Sequence, residues 1–102
     1  MTPSRAYKKL NQLLWMGRLP AARVMRVESA SLHPRCYGVT MHNDIYVRPV
    51  ILLNSRYARW GKTLMHEMVH VAEPELSHGW LFDCLVERYW RIAKKNFPGW
   101  NS

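Results

Sequence analysis

The sequence predicts an α+β fold, with an N-terminal helix, a small antiparallel β-sheet and two C-terminal helices, and three observations point to it. Apolar residues recur at helical spacing at the start of the chain and again after Trp80. Between Arg23 and Leu53 the pattern changes to short extended runs separated by turn-forming residues. Between the sheet and the last helix lies His66-Glu67-Met68-Val69-His70, which on a helix sets two imidazoles one turn apart on the same face.

Thr2-Pro3 reads as a helix cap followed by proline at the first helical position. Tyr7, Leu10, Leu13 and Leu14 form a core-facing stripe, and Gly17 is the stop. Pro20 leads into Arg23–Val27, which mixes basic and apolar residues as a half-buried strand should. Ser29 to Pro34 reads as a loop. Tyr37 to His42 and Ile45 to Leu53 are two further strands, joined as a hairpin through Asn43-Asp44. Pro49 has no N–H to give to a ladder, which makes its strand an edge or marks a bulge. Such an edge, if it faces the site, can receive an extended peptide through main-chain hydrogen bonds.

Asn54-Ser55 can cap the next helix, expected from about Arg56 to Ala72, with Gly61 weakening its first turns. Pro74 ends it, because proline disfavours helical geometry at Glu73. The last helix is expected to start at Ser77 or His78 and to carry Leu81, Leu85, Tyr89 and Ile92 on one stripe. Lys94 and Lys95 suit its end, and Pro98-Gly99 terminates it.

A length of 102 residues fits one domain, residues 1–102, with a single core. A hydrophobic fraction of 48% with 22% charged residues excludes disorder over most of the chain. The N-terminus has no apolar signal region and no run approaches a membrane span, so a cytoplasmic protein without a membrane partner is expected. Cys36 and Cys84 are isolated thiols, expected to be reduced and not to be metal ligands. The net charge of +8 draws a small domain toward polyanions.

His-Glu-x-x-His on a helix is the arrangement of zinc peptidases. His66 and His70 face one ion, and Glu67, about 100° further round the helix, lies beside it where it can take a proton from a coordinated water. Catalytic Zn²⁺ usually has three protein ligands and an open position, so a third is needed. His78, beyond the turn at Pro74, is the expected one, with Glu87 as the rival from the following helix. The metzincin spacing is excluded, since its glycine and third histidine positions hold Glu73 and Leu76.

Thr63-Leu64-x-His66-Glu67-x-x-His70, a short loop, then His78-Gly79-x-x-Phe82 resembles the SprT-like zinc metalloprotease domain, the group that includes the Spartan proteases. Leu10-Asn11 through Leu19-Pro20 is similar to that family's opening helix and approach to its first strand, and Leu53-Asn54 to the end of its last strand. Many members carry a cysteine-rich zinc ribbon after the protease domain, and this sequence stops at Ser102 without one.

The resemblance implies a zinc metalloendopeptidase acting on protein or peptide substrates, with His66, His70 and His78 as metal ligands and Glu67 as the catalytic base. It also implies proteins attached to DNA as targets, which gives the basic residues a use in phosphate contacts and Trp60, Trp90 and Trp100 a use in stacking on unpaired bases. Tyr37, His42, Arg48 and Tyr57 are candidates for a second electrophilic group, and Glu73 and Glu75 for carboxylates behind a ligand imidazole. The alternatives are a DNA-binding or adaptor module with a structural zinc and no proteolysis, or an inactive remnant of the protease fold. Glu67 discriminates, because a structural zinc needs no general base.

Overall fold

Thr2 and Pro3 start the first helix, α1 (Pro3–Trp15), as their residue types require. The Thr2 hydroxyl accepts the Arg5 N–H at 3.3 Å, and proline fills a first-turn position whose N–H would have no helical partner. Met16 and Gly17 close the helix with φ of 53° and 76°, and the Gly17 N–H returns to the Asn11 carbonyl. Asn11 also grips the backbone of Leu19 from both sides, accepting its N–H at 3.0 Å and donating to its carbonyl at 3.1 Å. The Tyr7 hydroxyl donates to the Pro20 carbonyl at 2.6 Å. Burial pushes the Tyr7 pKa up to about 12, so it remains a donor at any physiological pH. Two side chains of α1 therefore fix how the chain enters the sheet.

This is a computed structural model, and it describes residues 1–28, 36–41 and 48–100. The expected loop at Ser29 to Pro34, the Asn43-Asp44 turn, His42 and the start of the Ile45 run lie outside the described residues. Three strands are present: β1 (Arg23–Val27), β2 (Gly38–Met41) and β3 (Val50–Asn54), in the order β1-β3-β2. β2 and β3 pair antiparallel, with Gly38 opposite Leu53 and Met41 opposite Val50.

β1, however, lies parallel to β3, with Arg23 opposite Val50 and Val27 opposite Asn54, so the sheet is mixed and not wholly antiparallel. β1 and β2 run in opposite directions, so β3, which lies between them and is antiparallel to β2, runs the same way as β1. Residue patterning is the same for either strand order, which is why this could not be read in advance. The same order makes β3 the central strand, which corrects the edge expected from Pro49. Proline stands just ahead of the strand, where its missing N–H breaks no ladder bond, and its carbonyl accepts the Arg23 N–H at 3.0 Å. Among the described residues, β2 is the edge strand on the side of α2.

The second helix, α2 (Gly61–Ala72), begins at Gly61, later than the expected Arg56, and Asn54 does not cap it. Asn54 is buried and its side chain is committed elsewhere: its oxygen accepts the Arg56 N–H at 3.0 Å and its amide donates to the Cys36 carbonyl at 2.9 Å. It therefore ties the segment before β2 to the turn after β3. Pro74 ends α2 as expected, with the Glu73 N–H still returning to Val69.

The last helix, α3 (Trp80–Asn96), starts after Gly79, slightly later than Ser77 or His78. Its inward face is set by Phe82, Val86 and Ala93, with Leu85 and Tyr89 partly buried, whereas Leu81 and Ile92 are exposed. Two apolar stripes one residue apart both satisfy a helical period, and packing on α2 selects the Phe82 one.

α1 packs on β1, α2 on β2 and β3, and α3 on α2. Leu10, Ile51, Leu53, Leu64, Met65 and Phe82 are completely buried between these elements. Trp100 lies 5.8 Å from both Trp60 and Trp90, and the Lys94 ammonium sits 5.9 Å from the Trp90 ring. These tryptophans pack on one another instead of standing free for bases. Among the described residues, no helix is long and apolar enough to cross a membrane.

Candidate metal centre

Leu64, Met65, Met68 and Val69 are all fully buried, which fixes the rotation of α2 and leaves His66 and His70 on its half-buried side. After Pro74 the chain turns and His78 comes back over them. The Nε2 atoms of His66 and His78 are 3.2 Å apart and those of His78 and His70 are 2.7 Å apart. The ligand atoms of all three lie within 4.8 Å of one another. Tetrahedral zinc with Zn–N near 2.0–2.1 Å separates ligand nitrogens by about 3.3 Å, so this donor set fits one divalent ion. The structure thus brings together the three histidines, while Glu87, the rival ligand, pairs with Lys62.

Phe82 lies fully buried behind the cluster, its ring centroid 4.7 Å from that of His66, 4.4 Å from His70 and 5.1 Å from His78. One aromatic side chain therefore supports all three imidazoles. Its role was not legible in the sequence beyond its place in the His-Gly-x-x-Phe pattern. Burial lowers the pKa of His66, helped by the neighbouring His78 and opposed by Asp83. That favours the neutral imidazole, the form that ligates a metal.

Glu67 is buried, 5% exposed, and leans toward the sheet. Its Oε1 accepts the Thr40 hydroxyl at 2.9 Å, and Oε2 lies 3.9 Å from His66 Nε2. Thr40, on β2, was not among the expected residues. Strand alternation alone puts it on the same face as Gly38, and only the packing of α2 across that face brings it to Glu67. The close approach needs a glycine: a methyl group on Gly38 would meet Thr63 Cγ2 at 2.8 Å and the Leu52 carbonyl at 3.0 Å.

Burial pushes the Glu67 pKa up to about 7, against the opposing pull of the Thr40 hydrogen bond. In the metal-free chain, the folded state keeps a proton on Glu67 that the unfolded state has already lost. Stability must therefore fall as pH rises from 4.5 to about 7. At about 1.4 kcal/mol per unit, the loss is about 3 kcal/mol. Urea denaturation of metal-free wild type and Glu67→Gln at pH 4.5 and pH 8 should show the glutamine variant gaining by that amount. A difference independent of pH would contradict the burial of the carboxylate.

Two cavities meet at His66 and Glu67, one of about 280 Å³ bounded by Thr40, His70 and His78, the other of about 450 Å³ bounded by Tyr37, Lys62 and Val86. The β2 edge borders both. Because the Asn54 N–H donates to the Tyr37 carbonyl, residues 37, 39 and 41 bond β3, and the N–H and C=O of Gly38 and Thr40 turn outward. The Gly38 carbonyl accordingly meets the Cys36 thiol at 3.1 Å.

Of the residues expected as second electrophile, Tyr37 borders the cleft. The Tyr57 ring packs against that of Tyr37 with centroids 4.5 Å apart, and Arg48 is exposed and borders neither cavity. Glu73 and Glu75 are exposed beyond the end of α2.

The fold and this cluster define a class: an α+β domain whose helix carries a His-Glu-x-x-His pair, completed by a third histidine ahead of the next helix, and able to hold a metal ion. No protein-family model matches the chain, and neither a curated protein nor a solved structure gives a significant match.

Proposed function

We propose that the chain is a zinc-dependent metalloendopeptidase, of the SprT-like type that its motif resembles. The observation that carries the reading is the position of Glu67: a buried carboxylate, paired with a neutral hydroxyl and set beside three converging imidazoles. A structural site has no use for such a group, and burying it without a cation is costly. This weighs against an adaptor whose zinc is only structural.

A Zn²⁺ ion held by His66, His70 and His78 would supply Lewis acidity, lowering the pKa of a water from about 15.7 toward about 7 and polarising a carbonyl. Glu67 would take a proton from the attacking water as its oxygen bonds to the peptide carbon, and return it to the nitrogen as the C–N bond breaks. Thr40 holds Oε1, which keeps Oε2 turned to the His66 side. The outward N–H of Gly38 and the outward N–H and C=O of Thr40 bind an extended substrate as an added strand and deliver its carbonyl to the histidines.

The net charge of +8 favours targets carried on DNA. Zinc-loaded protein should cleave an unstructured polypeptide, and a chelator should stop it. Cleavage of a DNA-bound target should be faster, with an advantage that declines steeply as salt rises. No cleavage with zinc bound would remove the peptidase reading, and a salt-independent advantage would remove the role of phosphate contacts.

A further inference from the structure

The two lobes of the cleft differ in chemistry. The lobe beside Thr40, His70 and His78 is the more polar of the two, although Val39 and Pro74 also line it. The larger lobe, about 450 Å³, is lined by Cys36, Tyr37, Lys62, Thr63 and Val86, meets the first at His66 and Glu67, and has a mainly apolar surface. Among the described residues that line it, the lysine is paired, its ammonium meeting Glu87. Such a recess favours an apolar side chain over a charged one.

The β2 edge assigns that side chain to a position in the substrate. Antiparallel addition is the more stable pairing for a free strand. A peptide added this way runs from the Met41 end of β2 toward the Gly38 end. Thr40 borders the polar lobe and Tyr37 the apolar one, so the chain passes the polar lobe first, crosses the histidines, and then reaches the apolar lobe.

We propose that the lobe between Tyr37 and Val86 is a specificity pocket for a large apolar side chain, such as Leu, Met or Phe, on the residue immediately after the cleaved bond. This rests on the peptidase reading but is tested separately from it. Zinc-loaded Glu67→Gln is titrated by calorimetry with hydroxamate-capped peptides, whose first side chain occupies the place of the residue after the bond. The leucine compound should bind at least about tenfold more tightly than its glycine counterpart.

Tyr37→Ala, at an exposed position that threatens folding little, should shrink that ratio severalfold. Glu87→Gln, which releases Lys62, should raise the affinity of a glutamate compound severalfold. Equal binding of the leucine and glycine compounds overturns the pocket, as does a ratio that Tyr37→Ala leaves unchanged. A leucine preference in binding, with no cleavage by the protein that retains Glu67, would keep the pocket and reject the peptidase. Cleavage with no preference at this position would do the reverse.

Discussion

Glu67→Gln should lower peptide cleavage by about 10²- to 10⁴-fold while leaving bound metal and fold intact. Glutamine has nearly the same shape, and its amide oxygen can accept the Thr40 hydroxyl as Oε1 does, at 2.9 Å in the native chain. What it loses is the ability to hold a proton between the attack of water and the departure of the amine. The three imidazoles do not depend on it, because Glu67 stands beside them and is not one of the three donors. Steady-state rates on one peptide, together with metal content by mass spectrometry, separate the two effects. Undiminished cleavage would remove Glu67 from the mechanism, and a loss of metal would make it a ligand or a support of one.

Phe82→Ala should have the largest effect on the fold, about 3–5 kcal/mol, as expected for removing a fully buried aromatic ring. It should also weaken metal binding by about 10- to 100-fold, the usual consequence of removing a group that orients the ligands. The reason is geometric. The three rings 4.4 to 5.1 Å from Phe82 would face a cavity, and each imidazole would gain freedom that it must lose again on binding. Phe82→Leu refills most of the volume, so it should recover more of the stability than of the affinity. Thermal melts with and without metal distinguish these contributions. An unchanged melt for Phe82→Ala would contradict the packing, and unchanged affinity would contradict its role behind the ligands.

Local chemistry carried much of this into the sequence. Thr2 before Pro3, Gly17 after the Leu14 stripe and Pro74 after His70 each act through their own backbone or side chain, so the ends they mark needed no tertiary information. The histidine pair needed only the helical period, and His78 needed only a turn short enough to bring the chain back. Features decided by distant partners were not legible. Whether β3 lies beside β1 depends on strand order, to which alternation is indifferent.

The start of α2 moved to Gly61 because Asn54 spends its side chain on Cys36 and Arg56, and Cys36 is far away in sequence. Thr40 reaches Glu67 only because Gly38 lets α2 settle close to β2. Glu87 pairs with Lys62 instead of joining the histidines, a partner that only the packing of α3 on α2 brings near it. The face of α3 was likewise chosen by α2, since Leu81 and Phe82 begin equally good stripes.

The central claim is that three imidazoles hold one ion and leave a position open beside Glu67. Zinc binding by wild type, His78→Ala and Glu87→Ala, measured by titration and by X-ray absorption, tests it most directly. The account predicts one zinc per chain with three nitrogen ligands from the protein, retained in Glu87→Ala and lost or greatly weakened in His78→Ala. Zinc that stays equally tight in His78→Ala, or a wild-type chain that takes up none, would contradict it.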